Sequence, residues 1–160
     1  MENSKKEGRA KGHNPAEKVA LYGILIALAF IFSYVEALIP LPVPVPGMKL
    51  GLANLVTVYA LCRLSGREAL LILAARCLLG ALLGGNLMAL AFSLTGGLLA
   101  LGTMALLLRC GRFSLFGVSI AGAAAHNTGQ ILAAMAVLGS RAPLVYLPPL
   151  LLCSLVTGAV

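Results

Sequence analysis

Between positions 19 and 38 the chain carries one charged residue, Glu36, and apolar runs of this kind recur up to the last residue, Val160. Twenty residues in a helix rise about 30 Å, the thickness of the hydrocarbon core of a bilayer. A water-soluble fold of 160 residues is a single domain whose interior is too small to hide several such runs. Of these residues 60% are hydrophobic and only 11% charged, where an ordinary soluble domain is roughly 25% charged. The same figures exclude intrinsic disorder, which needs little apolar content and much charge. The chain is therefore read as an all-α integral membrane protein.

Six apolar segments, bounded by Gly, Pro or charge, cover 19–38, 52–64, 68–83, 87–108, 116–138 and 143–160. They predict a bundle of six transmembrane helices over 19–160, preceded by a basic cytoplasmic tail over 1–18 that carries Lys5, Lys6, Arg9, Lys11 and Lys18. The 19–38 run is too long for a signal-peptide core and has no small-residue cleavage site after it. The second and third segments would rise only roughly 20 and 24 Å, a shortfall tolerated where the adjoining loop dips into the membrane. Pro148 and Pro149 predict a kink in the last segment. That segment stops without a polar end, as a truncated C-terminus would. Between the first two segments Pro40, Pro42, Pro44 and Pro46 stand at every second position. Each ring removes a backbone donor and pushes its predecessor to extended geometry, so 39–51 reads as a stiff, extended, apolar outer loop, suited to act as a lid.

Basic residues test the topology. With the N-terminus inside, nine of the twelve Lys and Arg fall on the cytoplasmic side, only Lys49 and Arg141 on the outer side, and Arg76 within a span. This obeys the positive-inside rule and accounts for the net charge of +7. With no Trp and no basic patch interleaved with aromatics, nucleic acid is set aside as a partner.

The five acids are Glu2, Glu7, Glu17, Glu36 and Glu68, and Asp is absent, so chemistry that needs paired Asp on Mg²⁺ does not belong to this chain alone. No phosphate-binding G-x-x-x-x-G-K-[ST] loop occurs, no cofactor is implied, and the sparse His and scattered Cys offer no metal ligand set. Cys62, Cys77, Cys110 and Cys153 lack C-x-x-C spacing and are expected to be free, buried thiols.

A charge as deep in a span as Arg76 costs on the order of 3 kcal/mol to insert and should face the bundle interior. It either pairs with Glu36 or clamps an anionic group, with Lys49 on the same side as a second cation or a snorkelling loop lysine. The fifth segment holds the most polar buried stretch, His126-Asn127-Thr128-Gly129-Gln130. His126 and Gln130 share a face, and the set serves either as interhelical glue or as ligand contacts, beside a small-residue stripe of Ala121, Ala125, Gly129 and Ala133. Asn54 and Asn86 are weaker polar candidates. On the first helix Ala16, Ala20, Gly23 and Ala27 make a smooth face that packs within the bundle or docks another membrane protein.

The run Ile39-Pro-Leu-Pro-Val-Pro-Val-Pro-Gly-Met-Lys-Leu-Gly-Leu-Ala-Asn54, with Ala125-His-Asn-Thr-Gly-Gln130 and Tyr146-Leu-Pro-Pro149, resembles the Gx transporter family, also known as heptaprenyl diphosphate synthase component I. That family is similar to the substrate-binding S components of energy-coupling factor transporters, six-helix proteins of the bacterial cell membrane with cytoplasmic termini. The resemblance implies a lid containing Lys49, a docking face for a transmembrane coupling subunit at Ala20, Gly23 and Ala27, and a pocket for a small, anionic molecule. Lys49, Asn54, Arg76, Asn86, His126, Asn127 and Gln130 are the candidates for that pocket, and uptake would be energised by partner ATPases. The second label implies a non-catalytic membrane component serving a separate prenyltransferase, with the apolar bundle holding an isoprenoid tail among the membrane lipid.

Overall fold

The first helix, α1 (Pro15–Leu38), starts on a proline, whose missing N–H is harmless in a first turn, and so begins inside the stretch assigned to the tail. The computed structural model describes residues 15–38, 49, 51–84 and 87–159. Among these it shows six α-helices and no strand. The others are α2 (Asn54–Arg63), α3 (Gly66–Gly84), α4 (Leu87–Cys110), α5 (Leu115–Leu138) and α6 (Leu147–Ala159), the last entered through a 3-10 turn at Ala142–Tyr146.

Local chemistry marks the helix ends. Ser65 and Glu68 form a capping box at the start of α3: the Ser65 N–H donates to Glu68 Oε2 (2.7 Å) and the Glu68 N–H to Ser65 Oγ (3.3 Å). Ser114 caps α5 by accepting from the Gly117 N–H at 3.1 Å. Pro148 and Pro149 fall in the first turn of α6, where no donor is missed. The irregularity expected in this segment thus takes the form of a change from 3-10 to α geometry at Leu147.

Three stretches, α1, α4 and Ala142–Ala159, are long and apolar enough to cross a membrane. α5 falls short through its polar residues and α3 through its charges, whereas α2, with 10 residues, rises only roughly 15 Å. The outward faces are rich in large apolar side chains, among them Ile24, Ile31, Leu82, Leu106 and Val156, the pattern expected of a surface solvated by lipid. Three apolar clusters bind the bundle. Leu25, Ala29, Val56, Ala60, Ala69 and Ile72 join α1, α2 and α3. Phe92, Ile131, Ala134 and Leu150 join α4, α5 and α6, and Val58, Ala100, Met104 and Val118 tie α2 to α4 and α5. The most extensive contacts are those of α5 with α4 and with α6.

Glycine sets the closeness of these packings. A Cβ at Gly129 would stand 2.8 Å from the Gly96 Cα, and one at Gly158 only 2.5 Å from the Ile120 Cα, so α4, α5 and α6 meet backbone to backbone. At the opposite end from Lys49, Tyr22 donates to Glu68 Oε1 and Lys18 lies 3.9 Å from the same oxygen, which ties the start of α1 to the start of α3.

Candidate functional site

Why α2 is so short becomes clear from the chain just before it. The Lys49 N–H donates to Gln130 Oε1 at 3.0 Å, and Gln130 lies eight residues from the end of α5, roughly 12 Å along the helix. Non-helical backbone therefore enters the bundle and the helix starts from there, at Asn54. Buried backbone of this kind survives only if its polar groups are satisfied internally. Here the Leu52 N–H donates to Glu36 Oε1 at 2.5 Å and the Asn54 N–H to the Gly51 carbonyl at 2.9 Å. Gly51 is required twice over: its φ of +100° is unfavourable for other residues, and a Cβ there would sit 2.9 Å from Asn54 Nδ2.

The polar residues of α5 support this arrangement. Because Gln130 Oε1 accepts from Lys49, its amide Nε2 faces His126 Nε2, 2.8 Å away, and donates to it. The imidazole then carries its proton on Nδ1, which faces Gly96, where a Cβ would lie 3.0 Å from it. Asn127 turns the other way and donates from Nδ2 to the Leu150 carbonyl of α6 at 2.9 Å. Asn54, beside Gly51 and His126, is 2% exposed and neither side-chain polar atom has a partner among the described residues.

A second polar site lies between α1, α3 and α4. Arg76 is 3% exposed, and its Nη1 donates to Ser33 Oγ at 3.1 Å, while Nε and Nη2 have no partner among the described residues. Glu36 does not pair with it; that carboxylate accepts from Leu52 instead. Arg76, Lys49, Ser33 and Ser93 line a small chamber of about 20 Å³. Beside it lies a cleft of about 500 Å³ whose walls include Phe30, Tyr34, Ala37 and Leu83. Two cations and two hydroxyls thus stand at the inner end of an apolar cleft, with the Glu36 carboxylate close enough to attract both cations, and the guanidinium presents a fork of donors there.

Of the candidates read from sequence, Lys49 and Arg76 thus share one chamber. Asn54, His126 and Gln130 form a neighbouring cluster beside the backbone of Lys49, Gly51 and Leu52, and Asn127 faces α6. Asn86, and with it the Pro-rich stretch 39–48, lies outside the described residues. Ala16, Ala20, Gly23 and Ala27 are exposed, and a Cβ at Gly23 would meet nothing within 4 Å, so no helix among the described residues covers this face. The four cysteines are free, but Cys62 and Cys110 are exposed rather than buried, since each stands near a helix end on an outward face. Sequence reasoning missed Ser33 and Ser93. Ser33 lies three residues before Glu36 and so on the same helical face, a usable signal, whereas nothing in the sequence marks Ser93.

No curated protein and no solved structure matches this chain. Residues 25–160 match the family model of heptaprenyl diphosphate synthase component I, a non-catalytic component whose description implies a prenyltransferase partner, and the chain belongs to that family.

Proposed function

We propose that this chain is a membrane-embedded substrate-binding subunit, with all six helices in the bilayer and the N-terminus cytoplasmic, that captures a small anionic molecule at the Arg76 chamber for uptake. The observation that carries the reading is Arg76 itself: a guanidinium held in the bundle with two donor nitrogens unpartnered among the described residues, at a chamber that it shares with Lys49. A buried guanidinium that makes no ion pair among the described residues, with Glu36 attracting it only at longer range, is expensive unless something binds it. In this reading partner ATPases act through a membrane coupling subunit that docks on Ala20, Gly23 and Ala27, the uncovered face of α1.

Native mass spectrometry of the protein extracted gently from its own membrane tests this. An anionic small molecule that copurifies with the wild type and is lost in Arg76→Gln and Lys49→Gln supports capture; a molecule retained by both variants refutes it. The family match favours a second reading, in which the same subunit serves a prenyltransferase instead of a transporter. The copurifying subunits decide between the two: an ATPase pair with a coupling subunit gives transport, and a prenyltransferase gives isoprenoid synthesis.

A further inference from the structure

Glu36 is 2% exposed and makes no ion pair among the described residues; its Oε1 accepts from the Leu52 N–H. By position it nonetheless belongs to the Arg76 chamber. Ser33, which lines the chamber and accepts from Arg76, stands three residues earlier on α1 and so on the same helical face. Lys49, the other cation of the chamber, stands three residues before Leu52. Helix α1 packs against α2 and α3, and the charged groups brought near the carboxylate are Lys49, ahead of α2, and Arg76 on α3. Two further titratable groups, Cys77 on α3 and His126 on α5, lie near those two cations. Residues 39–48 and 85–86 carry no ionisable side chain. The fixed charge around the chamber is therefore two cations and one carboxylate, a net charge of +1.

Resting on the reading of the chamber as an anion site, we infer that Glu36 sets the charge of the guest: the site takes one negative charge, and a guest with two enters only with a proton, which Glu36 accepts from solvent. A monoanion brings the cluster to neutrality. A dianion on the same donors leaves excess negative charge in a medium of low dielectric, and a proton on the one carboxylate of the cluster cancels it. The protonated carboxyl keeps an acceptor oxygen for the Leu52 N–H, so the chain before α2 stays in place in both states. Glu36 thus acts on the guest through its charge and not through contact.

Methyl sulfate and sulfate separate the two cases. Both are compact tetrahedral oxyanions whose charges, one and two, stay fixed between about pH 6 and pH 8, so any proton that moves belongs to the protein. Titration calorimetry of the full chain in nanodiscs of neutral lipid, run in two buffers of different ionisation enthalpy, gives affinity and proton count together. Wild type should bind methyl sulfate with no proton exchanged, and sulfate with uptake of about one proton. Because the occupied state then holds the extra proton, sulfate affinity should rise as pH falls, by up to about tenfold per unit, and be lost as pH rises. Glu36→Gln keeps the acceptor and cannot ionise. It should bind sulfate at about pH 8 at least about tenfold tighter than wild type, with no proton uptake, and methyl sulfate with a smaller gain. Sulfate bound by wild type without proton uptake, or uptake that persists in Glu36→Gln and so belongs to another group such as His126, overturns the role of Glu36 and leaves the anion site standing. Binding of both probes that is indifferent to Arg76→Gln, or no binding of either, overturns the anion site itself.

Discussion

The two sides of this bundle use glycine in opposite ways. Where α5 meets α4 and α6, Gly96, Gly122, Gly129 and Gly158 are contact surfaces, and a Cβ at any of them would lie within 3.0 Å of another atom. Where α1 and α3 face outward, Gly23, Gly80 and Gly84 have nothing within 4 Å. Small residues bring helices together in lipid because close backbone approach replaces the hydrophobic drive that lipid removes. The same residues with no partner leave a groove. One side of the molecule is thus a closed scaffold, and the other keeps a cleft and an uncovered helix face.

The sharpest way to break this contrast is to put a side chain where the scaffold has no room. Gly129→Val should destabilise the protein by about 3 kcal/mol or more, since its neighbours, the Gly96 Cα and the Thr95 carbonyl at 2.9 Å, are backbone and cannot rotate away. Thermal unfolding in detergent measures the loss, and a melting temperature equal to wild type would refute the close crossing. Next in size is the support of the chain before α2. Glu36→Ala leaves the Leu52 N–H without an acceptor at a cost of about 1–3 kcal/mol, and Glu36→Gln, which keeps an acceptor oxygen, should recover most of it. Equal losses in the two variants would mean that the carboxylate charge, and not its oxygen, is what matters.

On the open side the effects on stability shrink. Arg76→Gln removes one hydrogen bond, to Ser33, together with a buried charge that makes no ion pair among the described residues, so in the absence of ligand stability should hold or rise. Ligand affinity should nonetheless fall about tenfold or more, the worth of a charge-assisted hydrogen bond. A large loss of stability in this variant would move Arg76 from the binding site to the scaffold. The smallest change is expected for Gly23→Leu, within about 0.5 kcal/mol, since it adds a side chain to an uncovered surface of a helix. On the transport reading, ligand binding should be unaffected while copurification of a coupling subunit is lost, and retention of that subunit would remove the docking face from α1.

Arg76 shows how much of the site was legible. A lone charge far into an apolar run has to face the interior, and it does. Its partner was not legible, because Glu36, the one acid in the interior of an apolar segment, is a sensible counter-ion on charge alone and becomes a backbone acceptor only once Leu52 enters the bundle. Gln130 is a similar case. Its polarity on a buried face marked it as important, but a glutamine that holds a main-chain amide and one that holds a ligand read alike in sequence. The 3.6-residue period that places His126 and Gln130 together also leaves Asn127 turned toward α6, and the neighbouring helix decides what each side chain meets.

The sequence by itself determined the solvent of this protein, its helical class and the approximate extent of each apolar segment, because these follow from the summed transfer energies of residues adjacent in the chain. It also singled out the residues too polar to lie against lipid. Only the tertiary structure decided which of those polar groups are consumed by the fold. That assignment depends on backbone donors exposed by an irregular segment, such as the Leu52 and Lys49 amides, and on which side chain lies within about 3 Å of them. Glu36 and Gln130 lie that close and are spent on the chain itself, whereas Arg76 keeps two donors without a partner among the described residues.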